Sequence, residues 1–297
     1  MQIGHEHPGR LVGTLASVDP LVSVSWLAEH LDDPRLVLCD VRWYLQGKSG
    51  RDEYLRGHIP GAQFVDLGRD LAAHDRPGPG RHPLPSVEQV AQVLSRLGVT
   101  RDSIVVGYDD AGGSIAARLW WLLDYFGHGG GRVLDGGIGR WIAEGRRLET
   151  AVASRPPAPP LQLVPRRDRV VDADAVDALR TRGALVLDAR ARERYLGLLE
   201  PVDARAGHIP GARSAPHAQN VDSGGRFLEP AELRERYRAV GALDADTVIA
   251  YCGSGVTACH TILALSRAGR DDVKLYEGSW SDWSRDPDRP VATGDEP

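Results

Sequence analysis

One run of residues carries chemistry by type and spacing: Tyr251-Cys252-Gly253-Ser254-Gly255-Val256-Thr257. A cysteine where an apolar, strand-like run ends, followed by two glycines and a helical pattern, can act as a nucleophile. The glycines let the loop curl and bring backbone N–H groups to the sulfur. The helix start adds positive potential. Both favour thiolate over thiol, and thiolate is the reactive form. The plain alternative is a small buried hydrophobe. Phosphatase and arsenate-reductase loops need Cys, five residues and then Arg to hold an oxyanion; here that place is Ala258, so oxyanion ester chemistry is set aside.

Such a loop needs a strand before it and a helix after it. In the second half, residues 184–189, 247–251 and 272–276 read as strands, and 172–182, 230–240 and 256–268 as helices. Short apolar runs between amphipathic helices predict an α/β class with an open, mostly parallel sheet covered on both faces. Functional groups then collect at the carboxyl ends of the strands, where Cys252 lies.

The pattern occurs twice. Gly57-His58-Ile59-Pro60-Gly61-Ala62 returns as Gly207-His208-Ile209-Pro210-Gly211-Ala212. Leu36-Val37-Leu38-Cys39-Asp40 has its counterpart in Leu185-Val186-Leu187-Asp188, Ile104–Tyr108 in Val248–Tyr251, and Gly136 and Trp141 in Gly278 and Trp283. Repeats of domain length indicate a duplicated domain. The expected division is 20–150, a proline-rich tether at 151–165, and 166–297. In the first copy the loop reads Tyr108-Asp109-Asp110-Ala111-Gly112-Gly113, so Asp109 stands at the cysteine position. A carboxylate cannot take up sulfur, and this copy is expected to be silent and to serve as a wall.

Composition narrows the partners. The net charge is −5, which argues against nucleic acid, and no apolar run is long enough to span a bilayer. The first 25 residues lack a basic start followed by an apolar block, so no secretory signal is visible. Three cysteines, Cys39, Cys252 and Cys259, suit a reducing cytoplasm and are too few for a cysteine-based zinc site; no metal or cofactor is expected. Only two of the 36 basic residues are lysine, Lys48 and Lys274.

The duplication, the two His-Ile-Pro-Gly-Ala motifs, the Cys-Gly-Ser-Gly-Val-Thr loop and Glu277-Gly278-Ser279-Trp280 resemble tandem rhodanese-type sulfurtransferases. The loop is most similar to that of 3-mercaptopyruvate sulfurtransferases, and the likeness covers about residues 20–290. It implies two rhodanese-like domains and a sulfur relay through a Cys252 persulfide. A small donor, mercaptopyruvate or thiosulfate, would supply sulfur to a thiol, thioredoxin-like or cyanide acceptor. It further implies that Arg194, in Asp188-Ala189-Arg190…Arg194-Tyr195, grips the donor carboxylate, with Arg205 a looser second candidate. His58 is an auxiliary candidate for proton transfer, with Asp52 as partner; otherwise His58 and His208 hydrogen-bond nearby backbone. Thiosulfate-preferring relatives carry basic residues after the cysteine, where this chain has Gly253 and Ser254. The alternatives are a thiosulfate:cyanide sulfurtransferase and a non-enzymatic sulfur carrier or redox sensor.

Other residues invite plainer roles. Cys259 lies about two helical turns beyond Cys252, and Cys39 reads as core. His260 reads as core or surface, Trp120 and Trp121 as packing. Trp43 and Tyr44 follow the first strand of copy one and could line an interdomain cleft. The glycine clusters at 129–131 and 136–137 lack the Lys-Ser/Thr of a phosphate loop.

Overall fold

The computed structural model describes residues 19–73 and 78–296. The stretch read for a secretory signal therefore lies, up to residue 18, outside the described residues. Two five-stranded parallel sheets follow one another. In the first, β1 (Leu21–Val22), β2 (Leu36–Asp40), β3 (Gln63–Phe64), β4 (Ile104–Tyr108) and β5 (Gly131–Leu134) lie in the order β1-β5-β4-β2-β3. In the second, β6 (Val170–Val171), β7 (Leu185–Asp188), β8 (Ala212–Ser214), β9 (Val248–Tyr251) and β10 (Lys274–Tyr276) lie in the order β6-β10-β9-β7-β8. The two orders match strand for strand, so the repeat in sequence is a repeat in topology. The strands and helices expected of the second half are present and differ only at their frayed ends.

Helices cover both faces, and the inner strands are mostly apolar for that reason: all five residues of β2 are buried. Ser86 and Asp172 cap their helices by accepting the N–H of Gln89 and Ala175. Cys39 is buried in β2, and burial pushes its thiol up to about 12. Trp121 is buried and stacks on Tyr125.

A matched pair of buried forks fixes the strand ends. At the end of β2, Asp40 takes the guanidinium of Arg42 (2.6 Å) and the hydroxyl of Tyr108 (2.9 Å), while Arg42 also donates to the Gly57 carbonyl. At the end of β7, Asp188 takes Arg190 (2.6 Å) and Tyr251 (2.6 Å), and Arg190 donates to the Gly207 carbonyl. Each tyrosine closes its central strand directly before Asp109 or Cys252, so the fork sets where the next residue emerges.

One apolar cluster runs through both halves. It includes Leu119 and Leu122 on the helix Ala116–Tyr125 and Ile262 and Leu263 on the helix Thr257–Arg267, and these helices pack on each other. Residues 151–165 form neither helix nor strand, yet they are laid against the first half: the Ala158 N–H donates to the Ser95 carbonyl at 2.9 Å, and Leu163 is buried. Among the described residues no helix is long and apolar enough to cross a membrane.

Candidate active site

Cys252 emerges from the end of β9 into a loop tied down on all sides. Its N–H donates to Ser279 Oγ at 3.1 Å, and its carbonyl accepts the Trp280 N–H at 2.9 Å. The Gly253 carbonyl accepts the Ser281 N–H at 2.9 Å. Gly255 has φ +78°, and a Cβ there would lie 2.4 Å from the Glu277 carbonyl oxygen, so only glycine fits. Its N–H points at Cys252 Sγ at 3.2 Å. Val256 is buried behind the turn, and Thr257 opens the helix. Ser279 has φ +52°, where the first copy has Gly137 at +57°. Its hydroxyl, which donates to the Tyr276 carbonyl while accepting from Cys252, compensates for the left-handed backbone.

Two arginines stand over Gly253. A Cβ on Gly253 would lie 3.0 Å from Arg81 Nη2 and 3.4 Å from Arg194 Nη1. Arg194 donates to Glu200 Oε1 (2.6 Å) and Asp203 Oδ2 (2.8 Å), and Arg81, from the other half, pairs with Asp203 as well. Burial works to raise the Glu200 carboxyl, but Arg194 and the N–H groups of Asp203 and Val202 outweigh it and hold it below its usual range.

A third contribution from the first half is His82. Its Nδ1 lies 2.8 Å from Ser254 Oγ, and Trp43 meets its ring edge-on. Burial, with Arg118 and Arg81 nearby, lowers its pKa to about 4, so the imidazole is neutral at neutral pH. The same segment is pinned elsewhere: the Arg81 N–H donates to Ser281 Oγ (3.1 Å) and the Leu84 N–H to Glu277 Oε2 (2.9 Å). Behind the loop lies Arg118, fully buried, whose Nη1 donates to the Gly255 carbonyl at 3.0 Å.

Several anticipated residues stand elsewhere. Arg205, the second donor candidate, gives its guanidinium to the carbonyls of Ser284, Arg289, Trp283 and Asp286, and so ties down the end of the helix Ser279–Trp283. His58 is buried and stacked on Tyr54, with both ring nitrogens on backbone carbonyls, of Tyr54 (2.8 Å) and Ala151 (3.1 Å). Its nearest carboxylate is that of Glu149, at 3.7 Å; Asp52 sits in the exposed first turn of its helix. The contacts of the His58 ring are with Tyr54, Glu149 and Ala151, and none of them reaches the Cys252 loop. His208 repeats the stacking, on Tyr195, and the Nδ1 contact, with the Tyr195 carbonyl, but its buried Nε2 has no hydrogen-bond partner among the described residues. His260 is core, its Nε2 on the Gly112 carbonyl, and Cys259 directs its Sγ to the Gly255 carbonyl at 3.4 Å. Tyr44 bonds Asp110 beside the first-copy loop.

In that loop Asp109 is fully buried and accepts four backbone N–H groups at 2.8–2.9 Å, from Ala111, Gly113, Ile115 and Ala116. Burial, the larger influence, pushes its carboxyl up against the pull of those amides.

His82, Arg81 and Arg118 were not singled out by the sequence. The signal available was the segment Arg81-His82-Pro83-Leu84-Pro85: a cation and an imidazole beside two prolines, ahead of a helix.

Comparison with known proteins adds the following. The family model described as the rhodanese-like domain matches twice, over residues 23–144 and 172–286. The "Probable 3-mercaptopyruvate sulfurtransferase" of Pseudomonas aeruginosa is 46% identical over 280 residues, 93% of this chain and 98% of that protein. "Thiosulfate/3-mercaptopyruvate sulfurtransferase 1, mitochondrial" of Arabidopsis thaliana is 32% identical, over 95% of this chain and 80% of its own length. Among solved structures, the 3-mercaptopyruvate sulfurtransferase SseA of Escherichia coli superposes with a TM-score of 0.78 at 34% identity, covering 89% of this chain and 100% of that one.

Proposed function

Because the chain belongs to the rhodanese-like sulfurtransferases, we propose that Cys252 is the atom through which it moves sulfur, and that 3-mercaptopyruvate is its preferred donor. The carrying observation is the convergence on one loop: Cys252 Sγ faces the Gly255 N–H, two guanidinium groups lie over Gly253, and the His82–Ser254 pair closes the side.

The Cys252 thiolate attacks the donor sulfur. A Cys252–sulfur bond forms, the donor carbon–sulfur bond breaks, and its electron pair leaves as the enolate of pyruvate, which takes a proton to become pyruvate. Ser254, whose hydroxyl is held by neutral His82, is the proton-bearing group beside the sulfur. The acceptor, a thiolate or cyanide, then removes the outer sulfur and returns Cys252 as thiolate.

Arg194 and Arg81 bind the donor carboxylate in this scheme, Arg81 taking the place first given to Arg205. Gly253 and Ser254 offer no cation, but these two arginines bring positive charge to the same place. With Glu200 and Asp203, and through Glu200 with the Arg190–Asp188 fork, they form a six-group network of three cations and three carboxylates. Such a cluster suits one carboxylate exchanging for Asp203, and favours a compact dianion such as thiosulfate less. Domains at 20–150 and 166–297 around the 151–165 segment, and a cytoplasmic setting, complete the proposal.

The deciding experiment measures kcat/KM for mercaptopyruvate and thiosulfate side by side. Mass spectrometry follows the Cys252 peptide for an added sulfur of about 32 Da. A higher kcat/KM with thiosulfate overturns the donor assignment; sulfur found on another peptide overturns the nucleophile.

A further inference from the structure

Arg118 is fully buried and has no carboxylate partner among the described residues. A buried guanidinium is normally paired, because its desolvation is expensive. This one donates instead to three carbonyls: Leu71 through Nε (3.3 Å), Gly255 through Nη1 (3.0 Å) and His82 through Nη2 (3.1 Å). Two of the three belong to residues of the site, one from each half of the molecule. Gly255 holds its N–H at Cys252 Sγ from a left-handed turn, and His82 holds Ser254. The Cys259 thiol shares the Gly255 carbonyl with Arg118.

We propose that Arg118 is a positioning residue for sulfur transfer. Its fork sets His82 and Gly255 at a fixed distance from each other, and its unpaired charge lies behind the Cys252 loop, where it favours the thiolate and the persulfide anion. The proposal rests on Cys252 being the nucleophile. It gives the first half an active part: the silent copy supplies the cation that the loop's own side chains lack. Arg118 touches neither donor nor acceptor, so its effect falls on the reacting sulfur and not on donor binding.

The test compares Arg118→Met, which removes fork and charge, with Arg118→Lys, which keeps the charge and loses the fork. Both are checked for folding by near-ultraviolet circular dichroism. Two quantities are read: alkylation of Cys252 by iodoacetamide at neutral pH, located by peptide mapping, and kcat with KM for mercaptopyruvate. Arg118→Met should alkylate about tenfold more slowly, as expected for loss of a unit charge one residue away at intermediate dielectric. Its kcat should fall by at least as much, with KM within about twofold. Arg118→Lys should alkylate within about threefold of wild type and show a kcat between the two. Alkylation at the wild-type rate in folded Arg118→Met, or equally slow alkylation in both variants, overturns the role of the charge. If Arg118→Met does not fold, Arg118→Lys decides: a wild-type kcat overturns the role of the fork. Failure of the underlying assignment would look different, because wild-type enzyme would then keep transferring sulfur after Cys252 is alkylated.

Discussion

The two loops at the ends of β4 and β9 are built alike and hold different side chains, Asp109 and Cys252. In the first, Asp109 occupies a nest of four backbone N–H groups, and its charge is covalently part of the loop. In the second, Cys252 presents a sulfur to the Gly255 N–H and leaves the rest of the turn to whatever becomes bonded to that sulfur. Both nests serve the same electrostatics, an anion at the start of a helix. In the first loop the acceptor is a fixture; in the second, on the proposed function, the sulfur is the reactant. On the proposed function the side chain at this position separates a structural loop from a reactive one, while the surrounding forks, Asp40–Arg42–Tyr108 and Asp188–Arg190–Tyr251, are the same in both.

The largest effect should come from erasing the difference. Cys252→Asp, which copies the silent loop into the reactive one, should abolish pyruvate release from mercaptopyruvate, as should Cys252→Ser. Substantial transfer by either variant would falsify the relay through this sulfur.

Next come the cations that only the reactive loop has overhead. Arg194→Ala should lower kcat/KM for mercaptopyruvate by roughly 10–150-fold, the worth of a charge-assisted contact of about 1.5–3 kcal/mol. Arg194→Lys should recover only part, for lack of the planar fork. Arg81→Ala should act in the same direction and less strongly, since the Arg81 side chain is a third exposed. An unchanged KM and kcat in Arg81→Ala would leave Arg194 as the sole donor contact.

Asp109→Ala tests the fixture itself. Four buried N–H groups lose their acceptor, so thermal or urea unfolding should show a loss of about 2–5 kcal/mol. Transfer per folded molecule should stay within a few-fold of wild type. A collapse of kcat at full folding would give the silent loop a role in the chemistry.

The smallest effect concerns His82, which has no counterpart at the Asp109 loop. Its pKa is about 4 in the folded protein against about 6.5 in an unfolded chain. Between those values the unfolded state binds more protons, so stability is full above pH 6.5 and declines as pH falls toward 4. His260, pushed down to about 3 by burial, adds to the same slope. Denaturation midpoints across that range should slope less steeply in His82→Asn than in wild type. An identical slope would mean that the imidazole is already charged when folded.

The sequence made legible what is local or repeated. Continuous apolar runs gave the strands, the recurring motifs gave the duplication, and the flanking glycines singled out the Cys252 turn. What it concealed reaches across the interface. Arg81, His82 and Arg118 meet partners of the other half 122 to 200 residues away along the chain, and no periodicity encodes such a contact. Arg205 shows the converse problem: in a chain whose cations are nearly all arginine, residue type near a motif does not separate a guanidinium facing a ligand from one binding four carbonyls. His58 misled because it lies in the most visible repeat. Its twin, His208, is likewise stacked on a tyrosine with Nδ1 on a backbone carbonyl, a shared feature that fits a fold-defining motif better than a catalytic one, although its Nε2 lacks the carbonyl that His58 has.

The apolar cluster that runs unbroken through both halves has a consequence for inheritance. The helices Ala116–Tyr125 and Thr257–Arg267 share one core, while each copy also keeps a buried cluster of its own, around Trp141 in the first and Trp283 in the second. Separation at the 151–165 segment would expose the packed faces to water and to other chains. On the proposed function, the first copy is then kept for its share of the common core as well as for the residues it lends to the Cys252 loop.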